Sequence, residues 1–104
     1  MKIKIHDYTW TVELVDETDE DLENGRFDGR TSYRKLRIAV NKNQAPDMIK
    51  ETLMHELTHA YLGMQGRFNA KRLTIEEICE FIGWNAESML DIAYKILKEW
   101  KVGK

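Results

Sequence analysis

Residues 46–62 read Pro-Asp-Met-Ile-Lys-Glu-Thr-Leu-Met-His-Glu-Leu-Thr-His-Ala-Tyr-Leu. Pro46 suits the first turn of a helix, where its missing N–H is not needed. From there Ile49, Leu53, Leu57 and Ala60 recur at helical spacing and make one apolar stripe, expected to face a sheet. His55 and His59 stand at i and i+4, roughly 40° apart around the helix axis, so their rings point the same way one turn apart. They lie nearly opposite the stripe, beside Met48, Thr52 and Leu62. A helix apolar on two sides is expected to be covered on both, by a sheet and by a second helix. Gly63 and Gly66 are expected to end it.

Two imidazoles at this spacing can meet one metal ion, and Glu56 projects from the flank of the same face. It is near enough to reach a metal-bound water without being a ligand. This H-E-x-x-H pattern is the geometry with which zinc peptidases build a hydrolytic site, Glu56 serving as general base. The plain rival is a chance pair of surface histidines. A catalytic zinc wants three protein ligands and one open position. The one other histidine, His6, falls in an N-terminal turn, so a carboxylate is the better third ligand. Glu76, Glu77 and Glu80 follow on the next helix. Glu76 shares its side with Cys79 and Gly83, small residues that would let this helix approach closely, and is ranked as the ligand. Glu80, one turn on, could accept a hydrogen bond from the outer N–H of a ligand histidine. Glu77 is the fallback ligand, because Thr74-Ile75-Glu76-Glu77 matches a capping box in which Glu77 already has work.

The rest of the chain reads as an α+β domain over residues 1–104, a small sheet of about four short strands packed on the H-E-x-x-H helix. Ile3 and Ile5 alternate with lysines, and Trp10, Val12 and Leu14 alternate with polar residues, giving two strands over 2–15 with a turn at His6-Asp7-Tyr8. The acidic run 16–25 reads as a solvated loop with one helical turn at its end; it lacks the spacing and central glycine of a calcium loop. Gly29 opens a second strand pair near 30–33 and 36–41, turning at Arg34-Lys35. The basic residues Arg26, Arg30, Arg34, Lys35 and Arg37 balance the acidic loop. After a loop over 63–73, a helix begins at Thr74. Gly83-Trp84-Asn85 reads as a break, with a last helix from about Ala86 to Trp100, so two helices are expected to follow the motif helix.

Composition is that of a globular chain: 104 residues, 42% apolar and 33% charged. A net charge of −2 gives no support for nucleic-acid or anionic-membrane binding. The single Cys79 excludes an intrachain disulfide framework and fits a reducing, cytoplasmic compartment. No apolar run marks a signal peptide or a membrane span.

Two histidines with a glutamate seventeen residues after His59, on the next helix, resemble the gluzincin pattern. Residues 76–83, Glu-Glu-Ile-Cys-Glu-Phe-Ile-Gly, look like the third-ligand helix of thermolysin-type enzymes. More closely, residues 55–62 with 76–82 resemble the small metallopeptidases of phages and mobile elements in the ImmA/IrrE-like group. The resemblance implies a zincin fold, zinc on His55, His59 and Glu76, Glu56 as base, and a regulatory protein of the same genetic element as substrate. The group often has Asn where this chain has Glu80, and many members carry further domains.

Three functions compete. A zinc endopeptidase would take a substrate strand against an exposed sheet edge, at 30–33 or 36–41. Its oxyanion donor has no histidine to draw on; Tyr33, Tyr61 and Arg67 are the candidates. A metal-containing binding or regulatory module would dock to a partner and cleave little. A structural zinc is disfavoured, since such sites are closed by four Cys or His ligands that this chain cannot supply.

Overall fold

The alternating N-terminus folds as a hairpin. In the computed structural model, which describes residues 1–66 and 72–103, strand β1 (Lys2–Ile5) pairs antiparallel with β2 (Tyr8–Val15) around a turn where His6 takes a φ of 55°. The second pair forms as well, β3 (Gly29–Ser32) against β4 (Arg37–Asn41), and β4 then pairs parallel with β2. The result is a four-stranded mixed sheet in the order β1-β2-β4-β3. Of the two stretches expected to offer an open edge, only β3 lies at one; β4 is paired on both sides.

Helix α1 (Pro46–Met64) lays its expected stripe on one face of that sheet. Ile49, Leu53, Leu57 and Ala60 are buried in one cluster with Ile3, Ile5, Trp10, Val12, Ile38 and Val40. Gly63 does not end the helix. It lies inside it and is buried, because a β-carbon there would collide with the Tyr33 ring; Gly66, with a φ of 77°, follows the end.

The other face of the sheet is covered by the acidic run. Leu22 and Ala39, both fully buried, sit outside the main cluster, and a 3-10 turn (Glu20–Leu22) begins at Asp19, whose carboxylate accepts from the Asp21 N–H at 3.0 Å. The run is more than a solvated loop, since Arg37 of β4 holds Asp19 and Asp21.

A single helix, α2 (Ile75–Trp100), replaces the two expected after the motif helix. Thr74 caps it and shares the expected capping box with Glu77. The supposed break fails because Asn85 is not free to cap a new helix. It is buried, donates to the Phe81 carbonyl at 2.8 Å within the helix, and accepts from Gln65, the C-terminal cap of α1, at 2.9 Å. Phe81, Met89, Ala93, Ile96 and Leu97 carry one buried stripe through the region, and that burial outweighs the roughly 1 kcal/mol that a mid-helix glycine costs.

The α1–α2 contact runs through Gln65–Asn85 and through Tyr61, whose hydroxyl lies 2.8 Å from Ser88. Tyr61 stands well round α1 from the histidines, and His55, His59 and Met48 are exposed. The expectation that a second helix covers the histidine face is therefore corrected: α2 packs along another side of α1.

Candidate active site

Because α1 is regular through the motif, His55 and His59 stack one turn apart, ring centroids 4.9 Å apart and inclined at 69°. Both rings are exposed, and among the described residues neither has a hydrogen-bond or ion-pair partner. Two nitrogen donors thus stand open on one helical face.

Glu56, between them in sequence, behaves differently. It is 7% exposed, turned toward the sheet edge where β3 crosses the helix. The Thr31 hydroxyl donates to Glu56 Oε1 at 2.6 Å and lies 3.1 Å from the Glu56 carbonyl. Gly29, two residues back on the same face of β3, permits this approach. A β-carbon there would stand 2.5 Å from Thr52 Cγ2, 3.0 Å from Glu56 Cγ and 3.2 Å from Glu56 Oε2. Gln44 secures the neighbouring turn, its amide nitrogen donating to the Asn41 carbonyl at 2.8 Å while its oxygen accepts from Thr52 at 3.1 Å. Asp28, Gly29, Glu51, Thr52, His55 and Glu56 line an open cavity of about 260 Å³. A charged carboxylate this buried needs hydrogen-bond partners, which explains the Thr31 contact energetically.

The residues weighed for the oxyanion are engaged otherwise. The Tyr33 hydroxyl donates to the His59 carbonyl at 2.6 Å, and its ring meets Trp10 edge-on at 6.0 Å. Burial and, after it, the Glu56 charge push the Tyr33 phenol above its ordinary range. Tyr61 is spent on Ser88, and Arg67 lies outside the described residues.

The three candidate glutamates, Glu76, Glu77 and Glu80, lie on the first turns of α2. Glu76 and Glu80 are exposed. Glu77 Oε1 accepts from the Thr74 N–H and hydroxyl, each at 3.1 Å. Glu80 lines a second open cavity with His6, Gln65, Phe81, Trp84 and Asn85. Among the described residues no three His, Cys, Asp or Glu side chains gather closely enough to hold a metal ion. The donors on α1 therefore suit two of the three bonds that a zinc ion takes from a catalytic site, and among the described residues no acid is brought to them as the third ligand.

The family model of Peptidase M78, the IrrE N-terminal-like domain, matches residues 14–99. The chain belongs to this family. Membership supports a peptidase, and the matched span of this Peptidase M78 domain takes in both histidines, Glu56, β3 and nearly all of α2. No curated protein and no solved structure matches the chain. Among the described residues no helix is long and apolar enough to cross a membrane.

Gly29 and Thr31 are the site residues that sequence reasoning missed. Their one signal is the spacing Gly-x-Thr, which puts both on the same strand face. That this face meets Glu56 depends on how β3 crosses α1, which no local pattern encodes.

Proposed function

We propose that this Peptidase M78 domain is a zinc-dependent metallopeptidase with Glu56 as general base. The observation that carries the reading is the pairing of two imidazoles, without hydrogen-bond partners among the described residues, with a buried, oriented carboxylate on one helix. His55 and His59 would hold the metal, with Glu76 as third ligand and Glu77 as the fallback. Glu80 would hydrogen-bond a ligand histidine. A zinc ion held by these residues would supply Lewis acidity to the attacking water and to the scissile carbonyl. Glu56 takes the proton of the attacking water and passes it to the leaving amine. The substrate strand lies along the outer edge of β3, the strand that also touches the base. By the family resemblance, the substrate is a regulatory protein of a phage or mobile element, met in the cytoplasm.

One observation favours a second reading, a metal-containing regulatory module with little proteolysis: the Tyr33 hydroxyl donates to a backbone carbonyl and is not offered to an oxyanion. Two variants separate these readings. His59→Ala should lose stoichiometric zinc on elemental analysis. Glu56→Gln should keep zinc and fold yet lose about 10²–10⁴-fold in turnover. Full zinc in His59→Ala would end the metal assignment, and a Glu56→Gln variant that sustains the wild-type cellular phenotype would end the peptidase. Release of metal by Glu77→Gln, with Glu76→Gln unaffected, would exchange the ranking of those two acids.

A further inference from the structure

We propose that Thr31 is a positioning residue for the base: its hydroxyl anchors Glu56 Oε1, so that Oε2, in the space left by Gly29, is the oxygen that takes the proton. This rests on the peptidase reading above.

The two carboxylate oxygens stand in different surroundings. Oε1 receives the Thr31 hydroxyl at 2.6 Å, the separation typical of an O–H donor on a charged carboxylate. A hydroxyl has one proton to give, and the Glu56 carbonyl, at 3.1 Å, is the more distant acceptor. Among the described residues Oε2 has no hydrogen bond, and Glu56 lines the open cavity that His55 also lines. A β-carbon on Gly29 of β3 would stand 3.2 Å from Oε2, so the glycine leaves that side of the oxygen open.

The strand commits Thr31 to this duty. Gly29 and Thr31 face α1, while Arg30 pairs with Glu23 at 3.0 Å and Ser32 accepts from the Lys35 N–H at 3.2 Å. A glutamate side chain has three rotatable bonds, and a single short hydrogen bond at one oxygen removes most of that freedom before a substrate arrives. Because β3 is also an edge strand, the residue that orients the base and the backbone that would pair with a substrate belong to one four-residue segment.

The test compares Thr31→Val, Thr31→Ala and Thr31→Ser, all loaded with zinc, on the peptide that the wild type cleaves fastest from a quenched-fluorescence library. Thr31→Val and Thr31→Ala should lower kcat about 10–100-fold, as expected of a base displaced by about an ångström. KM and zinc content should stay within about threefold of the wild type, and Thr31→Ser should recover most of the rate. Crystal structures read the same point without turnover, with the Glu56 carboxylate displaced in Thr31→Val and in its wild-type place in Thr31→Ser. An unmoved Glu56 with unchanged kcat in Thr31→Val and Thr31→Ala overturns the proposal. So does a loss that falls on KM and melting temperature and that Thr31→Ser fails to repair, the mark of a strand-packing role. Glu56→Gln cleaving as fast as the wild type would instead overturn the assignment of Glu56 as the base, the part of the reading above on which this rests.

Discussion

Two clusters of ionisable side chains lie on opposite faces of the sheet, and they are built on opposite plans. Under the acidic run, the Arg37 guanidinium spends its donors on Glu13 at 2.9 Å, on both oxygens of Asp19 at 2.9 and 2.8 Å, and on Asp21 at 2.6 Å. Lys35 adds bonds to Glu20 and Asp21. Hydrogen bonds from Arg37 hold the Asp19 carboxyl down at about 2 against the opposing effect of burial, and the same contacts raise the Arg37 pKa. On the α1 face, the His55 and His59 rings share one contact and have no hydrogen-bond or ion-pair partner among the described residues. A cluster whose donors and acceptors are matched to one another fastens chain to chain. A cluster that leaves strong donors open at the surface adds little to the fold and remains free to bind.

The contrast can be broken by substitution. Replacing Arg37 with Met leaves Glu13, Asp19 and Asp21 facing one another with their shared cation gone. It should cost about 2–4 kcal/mol in urea unfolding, somewhat below the range for a fully buried pair because the side chain is 17% exposed. A loss under about 1 kcal/mol would mean that the cluster is merely a surface arrangement.

Acid should act on the same cluster next most strongly. The Asp19 pKa is lowered from 3.8 to about 2 in the folded chain, so its contribution is complete above the unfolded value and drains away as pH falls from about 4 toward 2. With its 20% exposure allowed for, about 1–2 kcal/mol should disappear over that window. Asp19→Asn should show a correspondingly shallower fall in stability between those pH values. Parallel curves for variant and wild type would remove Asp19 from the account of acid sensitivity.

The smallest effect belongs to the other face. In metal-free protein, His55→Ala or His59→Ala should change unfolding stability by no more than about 0.5 kcal/mol, as at an ordinary surface position. A cost above about 1 kcal/mol would show that the rings pack into the fold, and the two clusters would no longer differ in kind.

Much of this architecture was legible because it is locally encoded. Period-two alternation marked the β1–β2 hairpin, Pro46 and the Ile49–Ala60 stripe marked α1, and Thr74 with Glu77 marked the start of α2. Local reading went astray where a local signal met a tertiary demand. Gly83 and Asn85 look like a helix break, yet Asn85 is occupied by Phe81 and Gln65 and the buried stripe runs straight past. Gly63 looks like a stop, yet it is the space into which Tyr33 packs. The histidine face looked like one that a second helix should cover, yet α2 took the Tyr61 side.

By itself, then, the sequence determined that His55 and His59 share a helical face with Glu56 on its flank, because helical periodicity is fixed by the backbone whatever lies around it. The tertiary structure alone decided the surroundings of that carboxylate: which strand lies at the sheet edge, that Gly29 lets it approach, and that Thr31 takes hold of Oε1. The Thr31–Glu56 contact joins residues twenty-five positions apart, and its partner is chosen by how the sheet seats on the helix and not by any propensity of the residues themselves.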